Sequence, residues 1–196
     1  MTGIVQYGAG NIFSLTSALK RLNIGYGMIE KEQDLDLYDR YIIPGVGHAG
    51  AAMNKLRQTG LAPHIQKLKK PTLGICVGMQ LLTDHSEEGD ADLLGIIPVQ
   101  TRRFAGDKRL KVPHTGWNTV NAEEGHPLFK DIPPLSHFYF VHSYYIEYYP
   151  QYTLASTDYG LKFSASIWLD NFFGVQFHPE KSGRSGEMLL TNFSKI

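Results

Sequence analysis

The sequence predicts an α/β fold whose central sheet is mostly parallel and gains antiparallel strands in the C-terminal half. In the first half, short apolar runs alternate with segments of helical period. Such alternation implies crossover connections between parallel strands that are covered on both faces. The second half consists of short β-like segments separated by turn-forming residues. Since the 196 residues contain no internal repeat, low-complexity tract or linker, we expect a single domain over residues 1–196.

The first half begins with a strand at residues 3–7, which Gly8 and Gly10 end. Asn11 is a suitable N-cap for the helix that follows. Apolar residues then recur at helical spacing, at Ile12, Leu15, Leu19 and Leu22. The remaining elements up to residue 82 are strands at 26–30, 41–43 and 72–75 and helices at 49–58, 62–69 and 76–82.

The second half is predicted to be mainly β-structure, followed by one closing helix. Turn signals, among them Asp158-Tyr159-Gly160 and Asp170-Asn171, separate the strands. The predicted strands are 95–104, 138–149, 153–157, 162–168 and 172–177. The closing helix covers residues 182–193, and we expect Met188, Leu189 and Phe193 to face inward. Short strands joined by tight turns indicate antiparallel additions to the sheet.

The composition excludes several classes of protein. Lys plus Arg equals Asp plus Glu, at 19 each, so no overall field attracts nucleic acid or an anionic membrane. The single cysteine cannot form an internal disulfide. Because the N-terminus carries no secretion signal and no apolar stretch reaches membrane-spanning length, we expect a cytoplasmic protein. The acidic run Glu87, Glu88, Asp90 and Asp92 is interpreted as solvated surface.

The most informative segment is Gly74-Ile75-Cys76-Val77-Gly78, which lies between a predicted strand and a predicted helix. The form Gly-x-nucleophile-x-Gly is typical of a nucleophile elbow, in which the glycines leave room for a tight turn. The helix that follows directs backbone N–H groups toward the sulfur. The alternative is an inert buried cysteine, the commoner fate of a lone free cysteine, but the flanking glycines favour a nucleophile.

A cysteine nucleophile needs a base and a group that orients the base. His178 ends a predicted strand, and α/β proteins gather their chemistry at that edge of the sheet. In extended backbone, residues two apart lie on the same side, so Glu180 is expected to reach the His178 ring. Two alternatives remain open: a surface pair of His178 and Glu180, and a zinc site that also includes Cys76. The chain lacks the CxxC and HExxH spacings of common zinc sites.

A second glycine-rich turn, Pro44-Gly45-Val46-Gly47, also follows an apolar strand and should lie at the same sheet edge as Cys76. Its glycines permit unusual peptide orientations, so Val46 and Gly47 can supply a backbone N–H to an oxyanion, with the Val77 N–H as second donor. Taken alone, the motif is merely a turn. No cofactor is expected, because Phe13 occupies the third glycine position of a dinucleotide fingerprint.

Two motifs, residues 74–82 and Gln176-Phe177-His178-Pro179-Glu180, strongly resemble the signatures of class I glutamine amidotransferases. Further segments resemble the glutaminase subunits of imidazole glycerol phosphate synthase within that family. They are Tyr7-Gly8-Ala9-Gly10-Asn11, Pro44-Gly45-Val46-Gly47, His114-Thr115-Gly116-Trp117-Asn118, residues 138–145 and Glu180-Lys181-Ser182-Gly183. The resemblance covers essentially the whole chain.

The resemblance implies a flavodoxin-like, three-layer fold and hydrolysis of glutamine, with ammonia passed to a (β/α)₈ cyclase in a heterodimer. It implies that Cys76 is the nucleophile, His178 the base and then the acid, and Glu180 the orienting carboxylate. The family positions that hold glutamine correspond to Gly45, Gly47, Gln80, Ser143 and Tyr144 of this chain. Positions that face the cyclase match Asn11, Trp117, Tyr139 and Lys181.

Without the resemblance, several of these residues have simpler interpretations. Trp117 and Tyr139 would be core residues, Lys181 a solvated side chain and Gln80 a cap on the backbone. Three other functions remain as alternatives: a glutaminase of another synthase, a freestanding γ-glutamyl peptidase, and a binding protein with a disabled site. The intact triad and the glycine-rich turn argue against the last of these.

Overall fold

The computed structural model describes residues 1–105 and 110–196, and its centre is a five-stranded parallel sheet. The strand order is β2-β1-β3-β4-β13, and each neighbouring pair is parallel. The bounds are β1 Thr2–Val5, β2 Tyr26–Ile29, β3 Arg40–Gly45, β4 Thr72–Cys76 and β13 Phe172–Val175. Strands β1 and β4 are buried along their whole length, as expected for a parallel sheet covered on both faces.

Beyond β13 the sheet continues in the order β12-β10-β7-β5-β6, mostly through antiparallel pairs. A side branch runs from β12 through β11 and β8 to β9. The bounds are β5 Thr83–Ser86, β6 Ala91–Asp92, β7 Ile97–Arg103, β8 His114–Ala122, β9 Ser136–His142, β10 Tyr144–Glu147, β11 Thr153–Asp158 and β12 Lys162–Leu169. The predicted fold class, a parallel centre with antiparallel additions, is confirmed.

The helices follow the parallel strands along the chain. Asn11 accepts a hydrogen bond from the Ser14 N–H as the N-cap of α1. The first and last α-helices are joined by an Arg21–Glu187 ion pair, while α2 packs on α4. The bounds are α1 Ile12–Arg21, α2 Ala49–Gln58, α3 Ala62–Ile65, α4 Val77–Leu81 and α5 Gly183–Phe193. Among the described helices, none has the length and apolar character needed to cross a membrane.

The structure differs from the sequence prediction where local patterns are weak. Strand β5 is short and polar, and β8 contains a glycine at φ +132° (Gly116), so neither shows apolar alternation. The single strand predicted over 138–149 is divided at Ser143, whose carbonyl accepts from the Phe104 N–H. The helix predicted over 62–69 ends at Ile65 and continues as tighter turns. Met188 is only half-buried, because Leu189, Leu190 and Phe193 form the inner face of α5.

Candidate active site

Cys76 lies at the junction of β4 and α4 in a strained backbone conformation. Its φ of +55° and ψ of −111° are unusual for a residue with a side chain. A Cβ on Gly78 would overlap the Ile43 carbonyl, and one on Gly74 would overlap Gly78. The turn therefore requires glycine on both sides of the cysteine, as the predicted nucleophile elbow demands.

His178 and Glu180 form a buried pair beside this elbow. The His178 Nδ1 lies 2.8 Å from the Glu180 Oε1, and the two side chains are 2% and 4% exposed. A carboxylate only accepts, so Nδ1 carries the proton in this hydrogen bond. The contact was expected from extended backbone, but residues 179–181 form a 3₁₀ turn. This turn starts at Pro179 and brings the Glu180 carboxylate to the His178 ring.

The other ring nitrogen of His178 is available for chemistry. Among the described residues, neither the Nε2 of His178 nor the Oε2 of Glu180 has a hydrogen-bond partner of normal geometry. Burial by itself lowers the pKa of His178, but interaction with the nearby Cys76 sulfur and with Glu180 outweighs it and raises the pKa to about 10. The surroundings of His178 therefore favour its protonated form.

A cavity of about 300 Å³ opens in front of the Cys76 sulfur. Its walls come from the loop after β3, the start of α4, and the corner between β9 and β10. The lining residues are Val46, Gly47, Cys76, Val77, Gln80, Glu88, Pro113, Val141, His142, Ser143, Tyr144 and His178. The volume is at the lower end of small-molecule sites. No three His, Cys, Asp or Glu side chains among residues 1–105 and 110–196 are grouped as metal ligands.

The glycine-rich turn after β3 lies at the same sheet edge as Cys76. Gly45 is the register partner of Cys76 in the β3–β4 ladder, and the next two residues, Val46 and Gly47, are exposed on the cavity wall. Gly47 has a φ of +88°. Val77 is the first residue of α4, where backbone N–H groups lack acceptors within the helix. These residues can therefore present N–H groups to a ligand beside the sulfur.

The residues matched to glutamine binding are divided between the cavity and the region behind it. Gln80, Ser143 and Tyr144 line the cavity. Gly45 is buried behind the turn, where a smaller adjoining space reaches Asn11 and Glu180. Since glycine has no side chain, any contact of Gly45 with a ligand would have to come from its backbone.

Three polar residues at or beside the cavity are not predicted as site residues from the sequence. Gln176 is fully buried between Gln80 and Cys76: its Oε1 accepts from the Gln80 Nε2 at 3.1 Å, and its Nε2 lies 3.7 Å from the sulfur. Gln176 precedes His178 by two residues, and this spacing could have predicted from the sequence that it lies near the site. Glu88 corrects the interpretation of the acidic run as solvated, because its carboxylate lines the cavity and accepts from the Ala49 N–H at 2.6 Å. His142 is the third of these residues: it lies in the segment 138–145 that carries the resemblance, but the sequence assigned it no role.

The four residues matched to a partner surface differ in exposure. Trp117 is 56% exposed and stands beside Tyr139 across the β8–β9 pair, with their rings edge to face. Lys181 is exposed and its Nζ lies 6.0 Å from the Tyr139 ring centre. The side-chain oxygen of Asn11 is already bonded to the N-terminus of α1, where Asn11 is the N-cap. Tyr139 also connects this surface to the buried His178–Glu180 pair, because its carbonyl accepts from the His178 N–H at 2.9 Å.

The chain is similar to a known enzyme family over almost its whole length. The family model for class-I glutamine amidotransferases matches residues 4–196. The chain belongs to the class-I glutamine amidotransferase family. It is therefore a glutamine-hydrolysing enzyme.

Relatives within the family are similar over nearly the whole chain. The imidazole glycerol phosphate synthase subunit HisH of Bacteroides thetaiotaomicron is 47% identical over 191 residues, covering 97% of this chain and 96% of the relative. The subunit of the same name in Pasteurella multocida is 45% identical over 190 residues, covering 97% and 95%. A crystal structure of a glutamine amidotransferase superposes with a TM-score of 0.76 at 18% identity, covering 100% of this chain and 99% of the other, which supports the fold.

Proposed function

We propose that this class-I amidotransferase is the glutaminase of an imidazole glycerol phosphate synthase. It hydrolyses glutamine through Cys76, His178 and Glu180, and passes the ammonia to a (β/α)₈ cyclase in a heterodimer. The cyclase would then form imidazole glycerol phosphate and aminoimidazole carboxamide ribotide. The observation that supports this best is the buried His178–Glu180 pair beside a strained cysteine. The relatives' shared name supports the choice of synthase.

The first half of the reaction forms a thioester. The Cys76 thiolate attacks the γ-carboxamide carbon of glutamine, and the carbonyl oxygen becomes an oxyanion. His178 then gives the proton on Nε2 to the leaving nitrogen, and ammonia departs as the carbonyl re-forms. Glu180 holds the ring through Nδ1 and stabilises its positive charge.

The second half releases glutamate. Neutral His178 takes a proton from water, the hydroxide equivalent attacks the thioester carbon, and the thiolate leaves. Two amide donors are proposed for the oxyanion in both halves: the Val77 N–H, and an N–H from the turn at Val46 and Gly47. Their place on the cavity wall beside the sulfur supports this assignment.

The cavity also offers groups that complement the other end of glutamine. Glu88 places a carboxylate there, suited to the α-ammonium group. Gln80, Ser143 and Tyr144 surround the remaining space and are proposed to hold the ligand, partly through backbone atoms. The ammonia leaves toward the surface formed by Asn11, Trp117, Tyr139 and Lys181, where we place the cyclase. The family match over residues 4–196 supports one glutaminase domain.

The deciding experiment measures glutamate release with glutamine and with γ-glutamyl peptides, for the chain alone and with a (β/α)₈ cyclase. Glutamine turnover that rises with the cyclase and its phosphorylated substrate is expected. A preference for γ-glutamyl peptides, unaffected by any cyclase, would instead establish a freestanding peptidase. Activation only by an anthranilate or pyridoxal phosphate synthase component would assign the chain to that synthase.

A further inference from the structure

Two buried histidines extend the hydrogen-bond network away from the cavity. His114 and His142 are register partners in the β8–β9 pair, with the His114 Nδ1 3.0 Å from the His142 Nε2. The His142 Nδ1 lies 2.7 Å from the carbonyl oxygen of Tyr144. The same carbonyl lies 3.3 Å from the Nε2 of Gln80. One continuous path therefore joins His114 to a residue on the cavity wall.

The carbonyl at one end of this path fixes the tautomer of each ring. A carbonyl only accepts, so the His142 Nδ1 must carry a hydrogen. In a neutral ring the Nε2 is then a bare acceptor, and the His114 Nδ1 must donate to it. The His114 Nε2 is left as an acceptor, and the Asn118 Nδ2 lies 3.5 Å from it. Both rings are thus assigned the Nδ1–H tautomer.

The surroundings keep both rings neutral. His114 stacks between Phe140 and Tyr159 at ring-centre distances of 4.9 and 4.0 Å, and burial lowers its pKa to about 4. Burial is likewise the main cause that lowers the pKa of His142, to about 3; the hydrogen bond to the Tyr144 carbonyl opposes this effect, and repulsion between His142 and protonated His114 or His178 adds to it. The pair therefore keeps its direction of donation near neutral pH.

The path also decides which way the Gln80 side chain faces. Its Nε2 carries two hydrogens, one directed at the Tyr144 carbonyl and the other at the Gln176 Oε1. Its Oε1 is buried and has no partner among the described residues, and Gln80 is one of the residues that line the cavity. The cavity wall thus contains an acceptor that is not paired within the described residues. Glutamine can match it with either of its N–H groups, the α-ammonium or the γ-carboxamide.

We propose that His142, kept in its Nδ1–H tautomer by His114, is a positioning residue for the glutamine pocket. Its donor holds the Tyr144 carbonyl at the β9–β10 corner, and so fixes the corner and the orientation of the Gln80 amide. The inference rests on the proposed glutaminase function. Without His142, the longer Gln80 contact would remain on this carbonyl, and the wall formed by Ser143 and Tyr144 would lose one anchor while it keeps the bond from the Phe104 N–H to the Ser143 carbonyl.

The kinetic test compares three variants in the complex with the cyclase. His142→Leu removes the donor and should raise KM for glutamine about ten-fold while kcat changes far less. His142→Asn should restore KM, since the asparagine Nδ2 can take the place of the imidazole Nδ1. His137→Asn is the matched control, an exposed histidine of the same strand, and should leave both constants unchanged. An unchanged KM in the leucine variant, or equal impairment of the leucine and asparagine variants, would overturn the proposal.

A spectroscopic test keeps the inference independent of variant folding and of turnover. Long-range ¹⁵N–¹H spectra of the unmodified protein, with ¹⁵N-labelled histidine, should show Nδ1–H rings for His114 and His142 throughout roughly pH 6 to 8. An Nε2–H ring or an imidazolium at His142 would refute it. Absence of glutamine turnover by the unmodified complex would refute the proposed function instead, and the spectrum would still decide the tautomers.

Discussion

Gly45 and Cys76 face each other across the parallel β3–β4 ladder, so the glycine-rich turn leaves the sheet directly beside the cysteine. A Cβ on Gly45 would lie 2.5 Å from the Gly78 N and 2.8 Å from the Val77 Cβ. The turn and the elbow are therefore packed backbone to backbone. By contrast, a Cβ on Gly47 would meet nothing within 4 Å.

This difference predicts different effects on turnover for two alanine substitutions. Gly45→Ala must push the start of α4 away, so it should lower the free energy of unfolding by about 1–3 kcal/mol and abolish turnover. Gly47→Ala has room but must adopt a φ near +88°, at a cost of about 1–2 kcal/mol. It should fold and show altered kcat. Urea unfolding and glutaminase assays test both, and turnover that survives in Gly45→Ala but is abolished in Gly47→Ala would contradict the packing argument.

A second prediction concerns the nucleophile. Cys76→Ser should fold normally but lose glutamine hydrolysis by more than about 10³-fold, because a hydroxyl is a far weaker nucleophile than a thiolate. In the complex with the cyclase, added ammonia at raised pH should still give product, since it bypasses the hydrolytic step. Failure of ammonia to restore product formation would mean that Cys76 serves another purpose. His178 variants should follow the same pattern.

Much of this site could be predicted from the sequence because its motifs are local. The glycines around Cys76 and the His178-Pro179-Glu180 segment each lie within a few residues, and the order of the strands places them at one sheet edge. The parallel strands could also be predicted from the sequence, because buried strands such as residues 72–75 form short apolar runs. These inferences needed no long-range contact.

What escaped prediction depends on pairings between distant segments. His142 and Gln176 acquire roles only through contacts with residues 28 and 96 positions away. In the sequence, Glu88 belongs to an acidic run that predicts a surface residue; only the fold shows that its carboxylate accepts from the Ala49 N–H at the start of α2. Strand β8 has little apolar alternation, and its pairing with β9 defines it instead. Local patterns contain no information about such partners.

A third prediction tests the orienting role of Glu180. Glu180→Gln keeps an oxygen near the His178 Nδ1 but removes the charge that helps to raise the pKa of His178. The pKa should fall, and kcat should drop by about 10²-fold or more with a shifted pH profile. Glu187→Gln, which breaks only a surface ion pair with Arg21, is the matched control. An unchanged kcat in Glu180→Gln would exclude the triad.

A fourth prediction links the buried histidine pair to acid stability. The pKa of His114 is about 4 and that of His142 about 3 in the native state, against about 6.5 in the unfolded chain. As pH falls below about 6.5, the unfolded chain therefore binds protons that the native chain excludes, and stability decreases. His126, whose pKa burial also lowers, acts in the same direction.

The measurement is the free energy of unfolding in urea between about pH 7 and 5. The pair should contribute up to about two protons to the slope, and His142→Asn should remove about one. His178 opposes this slope above about pH 6, because its raised pKa makes its stabilising contribution complete only below the unfolded value of about 6.5 and reduces that contribution as pH rises toward 10. Since His178 is present in both chains, the difference between their slopes reports on His142. An equal slope in His142→Asn and the unmodified chain would show that His142 is not held neutral.

The last prediction is that the chain alone is a poor glutaminase and that the cyclase activates it. Uncoupled hydrolysis would waste glutamine, and the turn at Gly45-Val46-Gly47 is suited to control it. The glycines allow the Val46 peptide to direct either its N–H or its carbonyl at the oxyanion. The loss of one oxyanion donor costs about 3 to 4 kcal/mol, or about 10² to 10³ in rate. Partner binding can shift this equilibrium only if it favours one of the two states.

Trp117 offers a specific test of that coupling. It is largely exposed, so Trp117→Ala should leave stability nearly unchanged, but its contact with Tyr139 leads to the His178 backbone. We expect the variant to bind the cyclase more weakly by about 2 kcal/mol and, at saturation, to recover less of the activation. Trp168→Ala is the matched control, since Trp168 is 39% exposed and lies at the opposite sheet edge, beside Phe173. Titration of cyclase against glutamate release measures both quantities.

Full-rate hydrolysis by the isolated chain would refute activation, and equal behaviour of the two tryptophan variants would place the cyclase elsewhere.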